Sequence, residues 1–190
     1  FTAIVLLYIK KRRAPPHRGT FFMQTTLRPW RMEDAPELAA ALDNPKIHAN
    51  LRDGLPLPYT KADAASFISA MLAAEEGSQY TWAIVADGHV AGSIGLFRGG
   101  NIHRCTAEMG YYVAEPYWGK GVATQAVSAA CAFAFASTDL LRVYAEPFSD
   151  NAASRRVLEK AGFVLEGILR SNAIKNGAVR DMCMYARVRP

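Results

Sequence analysis

One short stretch carries most of the chemistry in this chain. After a β-like run ending at Val113 come Pro116, Tyr117, Trp118, Gly119, Lys120, Gly121, Val122, Ala123 and Thr124, leading directly into an Ala-rich helical segment. Glycines between a strand end and a helix start let several backbone N–H groups face outward together. The helix N-terminus adds partial positive charge, so such a turn can hold a phosphate or pyrophosphate. Ala123 is small enough for close approach, and Lys120 can add charge. The alternative is a tight turn whose glycines serve geometry alone. A Walker A loop does not fit: Ala114 stands where its first glycine belongs, and Gly121 where Ser or Thr should follow the lysine. The dinucleotide pattern G-x-G-x-x-G is met only through Gly121, with Thr124 in the third place.

Other reactive groupings are weaker. Ala91-x-Ser93-x-Gly95 has the spacing of a hydrolase nucleophile elbow, but it lies within a predicted strand and has no His/Asp partner in view. Cys105, Cys131 and Cys183 form no C-x-x-C pair, and the four histidines lack metal-ligand spacing, so no metal or disulfide framework is expected. Free thiols fit a reducing, cytoplasmic compartment. Cys131, in an Ala/Phe-rich helix, reads as an inert core residue. The three tryptophans read as packing residues.

These residues must be positioned by one domain, since 190 residues at 51% hydrophobic and 21% charged content suit a single packed core. Five of the 22 basic residues fall in residues 1–22, which hold no acid; the rest balances 17 bases against 17 acids. The basic pI therefore belongs to a tail, and no nucleic-acid partner is expected. Residues 1–22 are expected to be a vector-derived or upstream extension. A native membrane-surface anchor is the alternative, although no apolar run is long enough to span a bilayer.

From residue 23 onward, strands are expected at Thr26–Trp30, Tyr80–Ala86, His89–Leu96, Ala107–Val113, Arg142–Glu146, Phe163–Leu169 and Ala178–Val188. Asp87-Gly88 is a hairpin signal. Helices are expected over Met32–Leu42, from Thr60 to about Glu76 behind a Thr60/Asp63 capping box, over Gly121–Ser137, and over Asn151–Ala161 before Gly162. Residues 49–60 and 98–104 read as loops. The order β-α-α-β-β-β-α-β-α-β-β predicts an α/β (α+β) mixed sheet with helices on both faces.

Trp118-Gly119-Lys120-Gly121-Val122-Ala123 resembles the acyl-CoA signature R/Q-x-x-G-x-G/A of the GNAT superfamily of N-acetyltransferases, with Trp118 in place of Arg or Gln. Tyr-Trp-Gly-Lys-Gly is itself similar to the ribosomal-protein N-terminal acetyltransferase-like branch. Asn151-x-x-Ser154-x-x-Val157-Leu158-x-Lys160-x-Gly162-Phe163 with Glu166-Gly167, Glu108-Met109-Gly110-Tyr111, Leu27-Arg28 with Glu33-Asp34, and Gly92-Ser93-Ile94-Gly95-Leu96 resemble further family segments in the right order. The resemblance runs from about Thr26 to Arg187. It implies a mostly antiparallel sheet of about seven strands with a splayed central pair.

The resemblance also implies acetyl-CoA as the cofactor, held by backbone groups near Tyr112 and Val113 and by the amides of Gly119 to Thr124. It implies acetyl transfer by direct attack in a ternary complex, which needs a proton acceptor for the amine and a proton or hydrogen bond for the departing thiolate. By the same resemblance, Glu146 is the first expectation for the base, the alternative being a salt-bridged or solvent-facing strand-end carboxylate. Glu108, on the central strand, is the second: it could accept a proton through water, bind a cationic substrate, or simply make a structural hydrogen bond to neighbouring backbone. The family's tyrosine acid is absent, since Leu158 stands in its place, and Ser154 is the expected substitute. Asn151 is expected to cap its helix and touch the pantetheine arm. Arg155 and Arg156 could meet a 3′-phosphate or simply form a solvated face. The acceptor implied by the branch is a protein N-terminal α-amino group. A small amine (aminoglycoside, polyamine or amino-acid derivative) is the rival, as is a non-catalytic acyl-CoA-binding module. Specificity is expected in Pro45–Tyr59 and Ile168–Arg180, where acids are few and Asp53 is one. Monomer and homodimer both remain open.

Overall fold

The computed structural model describes residues 23–190; the expectations for residues 1–22 lie outside the described residues. Seven strands form one sheet: β1 (Thr25–Arg28), β2 (Gln79–Ala86), β3 (His89–Arg98), β4 (Thr106–Val113), β5 (Arg142–Ala145), β6 (Val164–Lys175) and β7 (Ala178–Val188). Their spatial order is β1-β2-β3-β4-β5-β7-β6. Every neighbouring pair is antiparallel except β4 and β5, which run parallel. The helices are α1 (Ala35–Leu42), α2 (Pro45–His48), α3 (Lys61–Leu72), α4 (Val122–Ser137) and α5 (Ala152–Lys160).

Alternation along the strands builds two cores. Trp82, Ile84, Ile94, Leu96, Ala107 and Met109 face α4 and α5, packing on Val127, Cys131 and Leu158. On the other side, Ala83 and Val90 pack with Leu38, Ala64 and Ile68 of α1 and α3. Burial pushes the Cys131 thiol up to about 12, as an inert core cysteine requires. Gly92 permits the close β3–β4 approach, because a Cβ there would stand 2.2 Å from the Tyr112 carbonyl oxygen.

Local signals place most elements. Asp87 and Gly88 both adopt positive φ, as the β2–β3 hairpin turn demands. Thr60 and Asp63 form the reciprocal cap of α3. Four expectations need correction. The first strand ends at Arg28, and Trp30 is buried in the α1/α3 core. α3 ends at Leu72, four residues early, because Gly77 turns the chain into β2. Asn44-Pro45 breaks α1 but also starts α2, since Asn44 Oδ1 accepts from Lys46 N–H and proline suits a first helical turn. β6 runs on to Lys175 through a register shift between Leu169 and Ala173, where Asp181 Oδ1 accepts from the Ser171 N–H at 2.8 Å.

The β4–β5 ladder is short. It joins Thr106 to Arg142, Ala107 to Val143 and Glu108 to Tyr144, and then stops. Beyond Glu108, β4 stays bonded to β3 as far as Val113. Beyond Ala145 the chain leaves toward β7, where Pro147 O accepts from Cys183 N–H and Ser149 N–H donates to Asp181 O, each at 2.9 Å. The sheet therefore splits between its central strands.

Leu158 is fully buried and seats α5 on this sheet. Leu158→Ala is expected to lower the unfolding free energy by about 2–5 kcal/mol, measured by urea denaturation.

Candidate active site

The glycine turn is fixed from both ends. At its entrance Glu115 accepts from Lys46 Nζ and from Asn44 Nδ2, the latter at 2.8 Å, which ties α2 to the turn. These two donors hold the Glu115 carboxyl below its ordinary range. The Trp118 indole N–H donates to the Val113 carbonyl at 2.6 Å and closes the turn onto the end of β4. Gly119 and Gly121 have φ of +74° and +78°, where a side chain would be strained. The first hydrogen bond entering α4 runs from Gln125 N–H to Gly121 O. Among the described residues, the backbone N–H groups from Gly119 to Thr124 find no acceptor. They form a cradle of free donors at a helix N-terminus, suited to an anion.

The turn opens on a cavity of about 680 Å³. Of the residues expected to meet a cofactor, Tyr112, Val113, Trp118, Gly119, Gly121, Val122, Ala123, Thr124, Asn151 and Ser154 line it. Lys120 does not: its ammonium lies 6.0 Å from the centre of the Tyr117 ring. Sequence reasoning missed α2, whose Lys46 and Ile47 form part of the wall, and Tyr111. Arg156 and Lys160, one turn apart on α5, also line the cavity and have no acidic partner among the described residues. Arg155 does not line it, because its guanidinium is held by Ser149 O at 3.0 Å and Tyr185 Oη at 3.3 Å.

Strand alternation sorts the backbone groups of β4. Ala114 N–H bonds Ala91 O, so the even-numbered residues of β4 direct their backbone groups at β3. Cys105 O accepts from Leu141 N–H, so the odd-numbered residues face β5. Past the ladder, the backbone groups presented to the gap are thus the Met109 carbonyl and the groups of Tyr111 and Val113. With the Val113 carbonyl taken by Trp118, its N–H remains on the open edge.

Ser154 sits beside this edge. Asn151 Oδ1 caps α5 by accepting from Ser154 N–H at 3.1 Å, which leaves the Asn151 amide nitrogen without a partner among the described residues. The Ser154 hydroxyl and the Tyr111 phenol are 2.8 Å apart, and the phenol also lies 3.2 Å from Ser154 O. Burial pushes Tyr111 up to about 12, so it stays protonated and can orient the serine hydroxyl.

Glu108 and Glu146 lie together, on the opposite face of the sheet from Tyr111. Glu108 is three residues from Tyr111 on β4 and therefore points the other way; it is in register with Tyr144, two residues before Glu146. Arg52, from the α2–α3 connection, joins them: its Nη2 donates to Glu108 Oε1 and stands 3.7 Å from Glu146 Oε2. Neither carboxylate lines the cavity itself. Burial raises the Glu108 pKa above its ordinary value, opposed by Arg52 and reinforced by the negative charge of Glu146. The two segments expected to set specificity also meet, since Lys175 Nζ donates to Asp53 Oδ1 at 2.5 Å. Among the described residues no group of three His, Cys, Asp or Glu is placed to hold a metal ion.

The site thus combines a sheet split at its parallel pair, a cradle of free backbone donors at the split and two carboxylates on the far face. Residues 24–164 match the acetyltransferase (GNAT) domain, and the chain belongs to that family. It is 36% identical over 83 residues to the ribosomal-protein-serine acetyltransferase of Escherichia coli (strain K12), which covers 44% of this chain and 46% of that protein. It is 30% identical over 111 residues to the spermidine N(1)-acetyltransferase of the same organism, covering 57% and 59%. The chain thus spans about half the length of the curated relatives it matches. Its fold is similar to that of Mycobacterium smegmatis RimJ in complex with CoA-disulfide, with a TM-score of 0.79, 28% identity, and coverage of 86% of this chain and 81% of that one.

Proposed function

We propose that the protein is an acetyl-CoA-dependent N-acetyltransferase whose acceptor is a protein N-terminal α-amino group. The observation that carries this reading is the row of free amides from Gly119 to Thr124, opening on a cavity that ends at the β4–β5 gap. Bound acetyl-CoA would supply the activated acetyl thioester. The chain's residues would do the rest. The turn amides hold the pyrophosphate, and Arg156 and Lys160 add positive charge at the cavity wall. The Val113 N–H offers a donor along the open edge of β4. Ser154, oriented by Tyr111, holds a proton at Oγ on one face of the gap. Glu108 and Glu146 hold the acceptor's ammonium on the other face and take its proton. The elevated pKa of Glu108 suits a base working near neutrality.

Similarity to a ribosomal-protein-serine acetyltransferase supports the protein α-amine. A polyamine is the second reading, supported by similarity to a spermidine acetyltransferase. Against it, Asp53 is already paired with Lys175, leaving little free acid around the acceptor segments.

Two measurements test the proposal. Calorimetric titration should show acetyl-CoA binding to the wild-type chain and a loss of about 100-fold or more in Gly121→Glu, which puts bulk and negative charge into the cradle. Unchanged affinity in the variant would remove the cradle from the site. In peptide acetylation assays, kcat/KM should fall as pH drops through the raised Glu108 pKa, because only the ionised carboxylate accepts a proton. Glu108→Gln should reduce kcat/KM by about 10²–10⁴-fold. Glu146→Gln removes a negative neighbour, so its acid limb should move to lower pH. A large loss in Glu146→Gln with little effect of Glu108→Gln would place the base at Glu146 instead.

A further inference from the structure

Arg52 occupies the space a cationic acceptor needs. Its guanidinium contacts Glu108 and Glu146 together, and no other side chain in the described residues pairs with either carboxylate. The acids are at 25% and 18% side-chain exposure, whereas Arg52 is at 66%. It therefore reaches inward from solvent and closes the acid pair from outside.

The segment that carries Arg52 is lightly held. From Arg52 to Pro58 the backbone makes no hydrogen bond among the described residues; the last before it is Leu51 N–H to His48 O, and the next is Tyr59 N–H to Asp43 Oδ1. Side chains fasten it instead: Arg52 to the carboxylate pair, Asp53 to the largely buried Lys175, and Leu55 against the α1/α3 core. A segment without backbone hydrogen bonds can lift away without breaking the sheet.

We infer that Arg52 stands in for the acceptor's ammonium, that the acceptor displaces it from Glu108 and Glu146, and that the site consequently takes amines with no free carboxylate beside the amino group. The inference rests on the N-acetyltransferase reading of this site and deepens it. A guanidinium and an ammonium cannot share the same carboxylate oxygens without repelling each other. A free α-amino acid would bring a third carboxylate into contact with the pair. A peptide N-terminus does not, because its first carboxyl group is an amide.

The test is an NMR chemical-shift titration of the full chain with alaninamide and, separately, with alanine. It compares wild type, Arg52→Gln, Arg52→Lys and the Glu108→Gln/Glu146→Gln double variant. Arg52→Gln should bind alaninamide about fivefold more tightly, the range spanned by one solvent-exposed ion pair. Arg52→Lys retains a cation and should stay near wild type. The double variant should lose alaninamide, and alanine should bind to none. Acetyl-CoA titrated into the same samples should keep its wild-type affinity throughout. A chain that follows this alaninamide pattern but binds no acetyl-CoA upholds the displaced-cation site and overturns the proposed function. A chain that binds acetyl-CoA overturns the inference alone if Arg52→Gln takes alaninamide no more tightly, or if alanine binds equally well. Failure of every variant to bind alaninamide overturns it too.

Discussion

The pairing of β4 with β5 for only three residues is the constraint that shapes the site. Each strand is claimed by its outer neighbour. β3 holds β4 as far as Val113, and the chain after β5 bonds to β7 around Pro147, which has no N–H to offer a ladder. An open sheet edge inside a domain leaves donors and acceptors unpaired, and that is a cost unless something fills it. Trp118 meets part of the requirement by capping the Val113 carbonyl. The remainder faces the cavity.

The split also sorts charge. On the α4/α5 side stand the free amides of the glycine turn with Arg156 and Lys160, all favourable to an anion. On the far side stand Glu108 and Glu146, favourable to a cation. The sheet keeps these groups apart. Tyr111 and Glu108 illustrate how little sequence this takes: three residues of one strand place a phenol bonded to Ser154 on one face and a carboxylate on the other.

Much of this was legible in the sequence because it rests on local chemistry. The glycine turn, the Thr60/Asp63 cap, the Asp87-Gly88 hairpin and the Asn151 cap are short patterns with strong backbone preferences. What was not legible is set by pairing or by distance. That Tyr111 rather than Tyr112 presents its backbone to the gap depends on which residue first bonds β3, and no composition signal records it. The bulge at Ser171 extends β6 through a polar run that reads as a turn, because the side chain of Asp181 on the partner strand satisfies the freed amide. Arg52 lies 56 residues from Glu108 in a loop without periodicity, and only the folded chain brings them together. Trp118 departs from the family signature with no reason visible in the sequence; its indole bond to Val113 supplies one.

If the unbonded turn amides and the open β4 edge receive acetyl-CoA, the cofactor must shield those amides from water. Residue-resolved hydrogen exchange, measured with and without acetyl-CoA, reads this amide by amide. Exchange should be fast at Gly119 to Thr124 and Val113 in the free chain, and slowed by roughly tenfold or more when acetyl-CoA is bound. Unchanged exchange at these amides in a chain saturated with acetyl-CoA would show that the cofactor binds elsewhere.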